Sequence, residues 1–253
     1  MDARFQAEFQ AKWARYFPGV ELPVAYFYAD EVSEADRRDS RDAEHCVLAA
    51  LVRVREGHSF IYGKDSPGCR GWARYTGFAQ GLRPNFEYFL SCGIPGEMEG
   101  ERYKKTPELV KDYLAAGPPF EAPGRFLVFK RWDKLAAADQ PFAVLFFVPP
   151  DVLSGLFTLA NFDRADPHGV ITPMGSGCSQ IVGHVWREAR ADAPRCVLGM
   201  FDVTARPQVA AHELTFAVPF ARFAQMVANM DESFLITGSW ERVRARIAET
   251  AVA

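Results

Sequence analysis

The sequence predicts an α+β fold, a single domain in which a mixed sheet is flanked by helices. Three observations predict it. Short apolar runs rich in β-branched and aromatic residues (Val24–Tyr28, Phe126–Trp132, Ala143–Val148, Leu214–Val218) alternate with segments of helical period. The 253 residues are 49% apolar and 24% charged, a globular composition long enough to bury its own core. No linker, charge block or low-complexity tract divides the chain.

The elements follow in order. Phe5, Phe9, Trp13 and Phe17 recur every four residues and predict an amphipathic helix over 2–17, stopped by Pro18-Gly19. Val24–Tyr28 reads as a strand. Residues 30–42 are charged without an apolar period and read as a loop or a frayed helix. Ala43, Cys46, Val47, Ala50, Leu51 and Val54 set a helix over 42–56, closed by Gly57. A strand at 59–62, a turn, and a helix beginning at Cys69 come next. Thr106 and Pro107 have the residue types of a helix cap and first position. The second half holds strands at 143–148, 170–172, 196–201 and 214–218. Its helices lie at 151–161, 178–188 and 221–230, and Ser239 is read as capping a last one to 251. Both halves, 20–118 and 119–253, show the order strand, helix, strand, Gly-Cys, helix. That echo predicts an internal duplication with pseudo-twofold symmetry.

Charge and hydropathy exclude whole classes. Lys and Arg number 29 against 32 Asp and Glu, a net charge of −3, so there is no basic field for nucleic acid. The longest apolar stretches, such as 142–150, are too short to span a bilayer, and the start Met1-Asp2-Ala3-Arg4-Phe5 lacks the pattern of a signal peptide. The expectation is a cytoplasmic protein, not bound to membranes, whose five cysteines are thiols rather than disulfides.

Those thiols are the sharpest chemical feature. Cys69 and Cys178 each follow a glycine and open a helix, where backbone N–H groups and the helix dipole favour thiolate, the form that binds metal or attacks electrophiles. Cys46 lies on an apolar helix face, His45 beside it points to solvent, and Cys196 opens a buried strand. No C-x-x-C pair exists, so any metal site must be assembled from distant segments. Arg70 and Arg74, with Lys64, surround Cys69 as anion or ligand candidates, and Arg206 is a further candidate that could pair with Asp202. Gly175-Ser176-Gly177 lacks the residues of a phosphate-binding loop.

Several segments resemble the bacterial and archaeal domain of unknown function 169 family. They are Glu44-His45-Cys46, Arg55-Glu56-Gly57, Ser66-Pro67-Gly68-Cys69-Arg70-Gly71, Glu99-Gly100-Glu101-Arg102-Tyr103 with Pro107-Glu108, Gly177-Cys178, and Leu198-Gly199 through Val218-Pro219. The resemblance runs from about Val24 to Ala228 and implies no assigned activity. The family's recurrent cysteines, matched by Cys46, Cys69 and Cys178, imply a metal or iron–sulfur role. Many members carry a further cysteine after the Leu-Gly pair, where this chain has Met200, so Cys92 or a non-cysteine ligand would complete a four-ligand set.

Three readings follow. The first is a metal-binding redox or ligand-binding protein, with Cys46, Cys69 and Cys178 holding an iron–sulfur cluster that serves a small molecule or a redox partner. The second is a metal-free binding protein with an apolar, Phe-rich pocket and core cysteines. The third is a thiol-dependent enzyme using Cys69. A shared cluster requires the three sulfurs to lie roughly 6–7 Å apart, given metal–thiolate bonds of about 2.3 Å, with Cys196 outside the group.

Overall fold

A computed structural model describes residues 1–39, 46–66, 69–117 and 119–252. Asp2 caps the first helix, its carboxylate accepting the Arg4 N–H at 2.7 Å, and α1 runs Ala3–Tyr16. Its aromatic stripe buries Phe9 and Trp13, and Phe17 stacks on Trp13 with ring centroids 4.3 Å apart.

Seven strands follow: β1 (Val24–Ala29), β2 (Phe60–Gly63), β3 (Phe126–Arg131), β4 (Ala143–Val148), β5 (Val170–Ile171), β6 (Cys196–Gly199) and β7 (Leu214–Pro219). They form one sheet in the order β2-β3-β1-β4-β7-β6-β5. Every pairing is antiparallel except β5 with β6, so the sheet is mixed. Strand alternation sorts the side chains into two cores. In β4, Val144, Phe146 and Val148 face one side, and Ala143, Leu145 and Phe147 the other.

The first face is covered by α1, α7 (Pro150–Leu159), α9 (Phe220–Asn229) and α10 (Gly238–Val252). The second is covered by α3 (Val47–Arg55), α4 (Arg70–Tyr75) and a continuous helix through Ser179–Glu188. The sheet is thus the middle of three layers, which explains why its central strands are apolar on both faces.

Several boundaries differ from the sequence expectation. The charged run contains α2 (Glu34–Asp39), capped by Ser33, whose Oγ accepts the Asp36 N–H at 3.0 Å. An ion pair from buried Lys130 to Asp36 at 2.9 Å replaces the missing apolar face. Cys46 is the residue before α3 rather than a member of it; the expected start at 42 and His45 lie outside the described residues, as does the Pro67-Gly68 turn. β6 stops at Gly199 because Met200 takes a left-handed backbone, φ 69°. Thr237, whose hydroxyl accepts the Trp240 N–H, stands at the cap position assigned to Ser239.

From the central β1–β4 pair the order outward is β3, β2 on one side and β7, β6, β5 on the other. Each strand that precedes a cysteine turn, β2 or β5, is therefore an edge strand. Among the described residues the first half, 20–118, holds β1 and β2, and the second half, 119–253, holds the other five strands.

Cys196 is fully buried on the first face, its Sγ 3.9 Å from Met226 Sδ, and burial pushes its thiol up to about 12. The sheet thus separates it from the other core cysteine, Cys178. Cys196→Ala is expected to cost about 1–2 kcal/mol in denaturant unfolding, the scale of a small core truncation. Alkylation of the remaining thiols at neutral pH should be unchanged.

Candidate functional site: a thiol pair in the wall of an apolar cavity

Cys69 ends the connection from β2 and occupies the cap position of α4, where its exposed Sγ accepts the Trp72 N–H at 3.3 Å. Cys178 lies on the facing helix, buried, within hydrogen-bonding reach of Cys69. That helix begins around Gly177, with Ser176 Oγ accepting the Ser179 N–H at 3.2 Å and Asp202 Oδ2 accepting the Gly177 N–H at 3.0 Å. Gly177 is tightly packed. A Cβ there would stand 3.0 Å from Leu48 Cδ1, 3.1 Å from Ala205 Cβ and 3.3 Å from Met200 Sδ.

The two thiols titrate in opposite directions. Cys69 is lowered to about 6, first by the hydrogen bond from Cys178, then by the amides of Trp72, Gly71 and its own residue, against an opposing effect of burial. Cys178 is pushed well up by donating to Cys69, by burial and by the nearby charge of Cys69. The expectation of two activated thiols therefore holds for one. Of the two, Cys69 is the more readily ionised and Cys178 the one that holds its proton. The cause is tertiary, since a helix as short as α4 supplies little dipole and the decisive donor comes from the other half of the chain.

Cys46, half-buried, has an extended backbone before α3 and packs against the same core. Cys178 belongs to that core as well. Met200, the residue at the further family cysteine position, is buried beside Gly177. The donor chemistry is uniformly soft, three thiols and a thioether, and suits a thiophilic metal. Among the described residues, no group of three or more His, Cys, Asp or Glu side chains is arranged to close on a single ion.

The Cys69 side of the pair opens on a cavity of about 700 Å³. Gln180 organises one wall. A π-helical stretch, Ser179–Gly183, carries its buried side chain, which donates to Pro173 O at 2.9 Å and accepts the Met200 N–H at 2.8 Å. These bonds hold the segments bearing Met174, Phe201 and Val203. The opposite wall is α5 (Phe86–Phe89) and the loop tied to it, with the Glu101, Arg102 and Lys104 N–H groups donating to Phe89, Ser91 and Leu90 carbonyls. That docking needs Gly93 (φ 74°) and Gly100 to cross closely; a Cβ on Gly100 would lie 2.2 Å from Ser91 O and 2.3 Å from Gly93 N. α6 (Pro107–Ala116) adds Tyr113, whose hydroxyl donates to Met174 O at 3.2 Å.

Of the charged candidates, Arg70 lines this cavity. Arg74 is buried and donates to Gln80 O. Arg206 does not pair with Asp202; its guanidinium is held by the carbonyls of Glu213, Ala210 and Ala211. Lys64 lines a different, open depression beside Asp65 and Glu121. Cys92 is exposed, contacts its neighbours Ser91 and Gly93, and does not line the cavity. No histidine lines the cavity among the described residues; His184 sits in an adjoining crevice with Tyr75 and Tyr113, pushed down to about 4 by burial.

Sequence reasoning missed the wall residues Arg83, Phe86, Phe89, Lys104 and Phe201. The signal available was the glycine-punctuated segment 93–100 after two phenylalanines three residues apart.

Fold and site together define a three-layer protein with a mixed central sheet and a thiolate–thiol pair set in the wall of an apolar cavity. The family model for DUF169, described as uncharacterised ArCR, matches residues 20–229, and the chain belongs to that family. No curated protein matches the chain, and no solved structure does. Among the described residues no helix is long and apolar enough to cross a membrane.

Proposed function

We propose that this chain is a thiolate-based binding protein. Cys69, Cys178 and Cys46 hold an iron–sulfur cluster or another thiophilic metal centre beside a cavity that receives a small molecule. What supports this reading is the placement of Cys69 at the cap of α4 and in the cavity wall, with α4 packed against the helix that carries Cys178. Cys69 and Cys178 come from opposite halves of the chain on helices that pack together, Cys46 packs against the same core, and the donors are those that soft metals choose. A bound centre would supply redox or Lewis-acid chemistry at the cavity wall. The chain's own part is to keep Cys69 ionised, to shield Cys178 from water and to enclose the ligand.

The opposite titration of the pair favours a second reading, a metal-free dithiol. There the Cys69 thiolate attacks a substrate disulfide, forming a mixed disulfide and releasing one thiolate. Cys178, losing its proton, then closes the Cys69–Cys178 disulfide and expels the second thiol.

Protein purified without air and reconstituted with iron and sulfide decides between them. The metal reading expects iron, acid-labile sulfide and broad visible absorption, lost in Cys69→Ser and Cys178→Ser and retained in Cys196→Ser. A colourless protein free of iron, zinc and copper would overturn it and leave the dithiol.

A further inference from the structure

The cavity's lining carries a more specific message about what fills it. Its apolar surface comes from two walls, Phe86 and Phe89 on α5 and Met174, Phe201 and Val203 on the segments clamped by Gln180. Phe201 is 50% exposed, Val203 70% and Met174 48%. Three large apolar side chains left this open around one cavity, on segments tied down by hydrogen bonds, form a surface that a ligand would cover.

The three cations of the lining are matched in number by Glu101, Asp202 and the readily ionised Cys69, but they are not paired off. Arg70, Arg83 and Lys104 line the cavity, and none ion-pairs with a carboxylate among the described residues. Arg83 lies over the Phe89 ring at 3.5 Å and Lys104 over Tyr113 at 5.0 Å, so both heads rest on aromatic faces of the wall. The two lining carboxylates are unequal. Asp202 accepts from the Gly177 N–H, the Thr204 N–H and the Thr204 hydroxyl, so its oxygens are already engaged although its charge remains.

From this we infer that the cavity binds a small organic anion, with a ring-containing or branched apolar body between the two walls and a carboxylate, sulfonate or phosphate group at Arg83 and Lys104. The volume, about 700 Å³, falls within the roughly 300–1,000 Å³ range of small-molecule sites. The inference rests on reading this cavity as the ligand site and needs no metal. Cys69 lines the same cavity, so a bound ligand lies against the thiolate or whatever centre it holds.

The test uses two fluorescent probes that share the same rings, anilinonaphthalene sulfonate and the uncharged N-phenylnaphthylamine. On metal-stripped protein the sulfonate is expected to bind one per chain, at least about 10-fold more tightly than its neutral twin, with the gap narrowing as salt is raised. Arg83→Gln with Lys104→Gln should erase the preference and leave the neutral probe unaffected. Phe201→Ser with Val203→Ser should weaken both probes. Equal binding of the two probes, or a preference that survives loss of both cations, would overturn the inference. A Cys69→Ser, Cys178→Ser protein, checked for its native melting transition, should keep the preference while losing metal. If that double variant does not fold, metal-stripped wild type against air-protected wild type makes the same separation. Absence of iron with an intact probe preference would sink the metal reading alone.

Discussion

In metal-free Cys178→Ala, the pH midpoint for alkylation of Cys69 is expected to rise by at least about one unit from its value of about 6. The hydrogen bond from Cys178 is the largest cause of the lowered value, and alanine removes it. The amides of Trp72 and Gly71 remain, so the midpoint should stay below the ordinary thiol value of about 8.5. Cys178→Ser keeps a donor and should stay near the parent. The midpoint is the right readout, because a thiolate of higher pKa is also a stronger nucleophile and partly masks the effect on the rate.

The same pair makes stability depend on pH. Cys69 is lowered on folding, so its contribution is complete above the unfolded thiol pKa, about 8.5, and is lost as pH falls through about 6. Cys178 is raised, so its contribution is complete below about 8.5 and is lost at higher pH. Together they favour the fold most near pH ~8.5, and Cys178→Ala should flatten both slopes. An alkylation midpoint unmoved at about 6 in Cys178→Ala would show that local amides, not the partner thiol, activate Cys69.

Gly100→Ala should dismantle the cavity. The added methyl would meet the Ser91 carbonyl oxygen at 2.2 Å and the Gly93 nitrogen at 2.3 Å, both backbone atoms that cannot rotate away. Forcing it in would cost on the order of 3 kcal/mol, the upper range for overpacking. Releasing the loop from α5 is the cheaper response. The Glu101, Arg102 and Lys104 amides then lose their acceptors at Phe89, Ser91 and Leu90, and the wall bearing Tyr103 and Lys104 moves out. We expect fast hydrogen exchange at those three amides and at least a 10-fold weaker hold on anilinonaphthalene sulfonate, with the global melting transition little changed. Gly81→Ala, where a Cβ meets nothing within 4 Å, serves as the control. Parent-like exchange and probe affinity in Gly100→Ala would mean the loop is not the wall.

Much of this architecture can be read locally. The four-residue aromatic stripe of α1, the Thr106-Pro107 start of α6 and the both-face apolar strands β1 and β4 each follow from nearest-neighbour chemistry. A helix stripe or a strand alternation is a property of a few consecutive residues. Cys69 and Cys178 were legible as paired candidates for the same reason, each being a thiol at a helix start. For α2 the sequence left loop and frayed helix open, because its support is an ion pair from Lys130, almost a hundred residues away. The ends of α3 and β6 escaped for related reasons. Pattern marks where apolar residues recur, not where the backbone turns, as it does at Met200.

Sequence alone therefore decides which residues can carry the chemistry, since nucleophilicity, softness toward metals and the lack of a basic surplus belong to residue types and their local order. Tertiary structure decides what those residues become. Cys69 is a thiolate because Cys178, from the other half of the chain, donates to it. Cys196 is inert because the sheet puts it in the opposite core. Arg206 is unavailable because three carbonyls hold it, whereas Arg83 and Lys104 face a cavity built by loops with little periodicity to read. A pKa depends on the field and donors within a few ångströms, and those neighbours are chosen by the fold rather than by the chain's order.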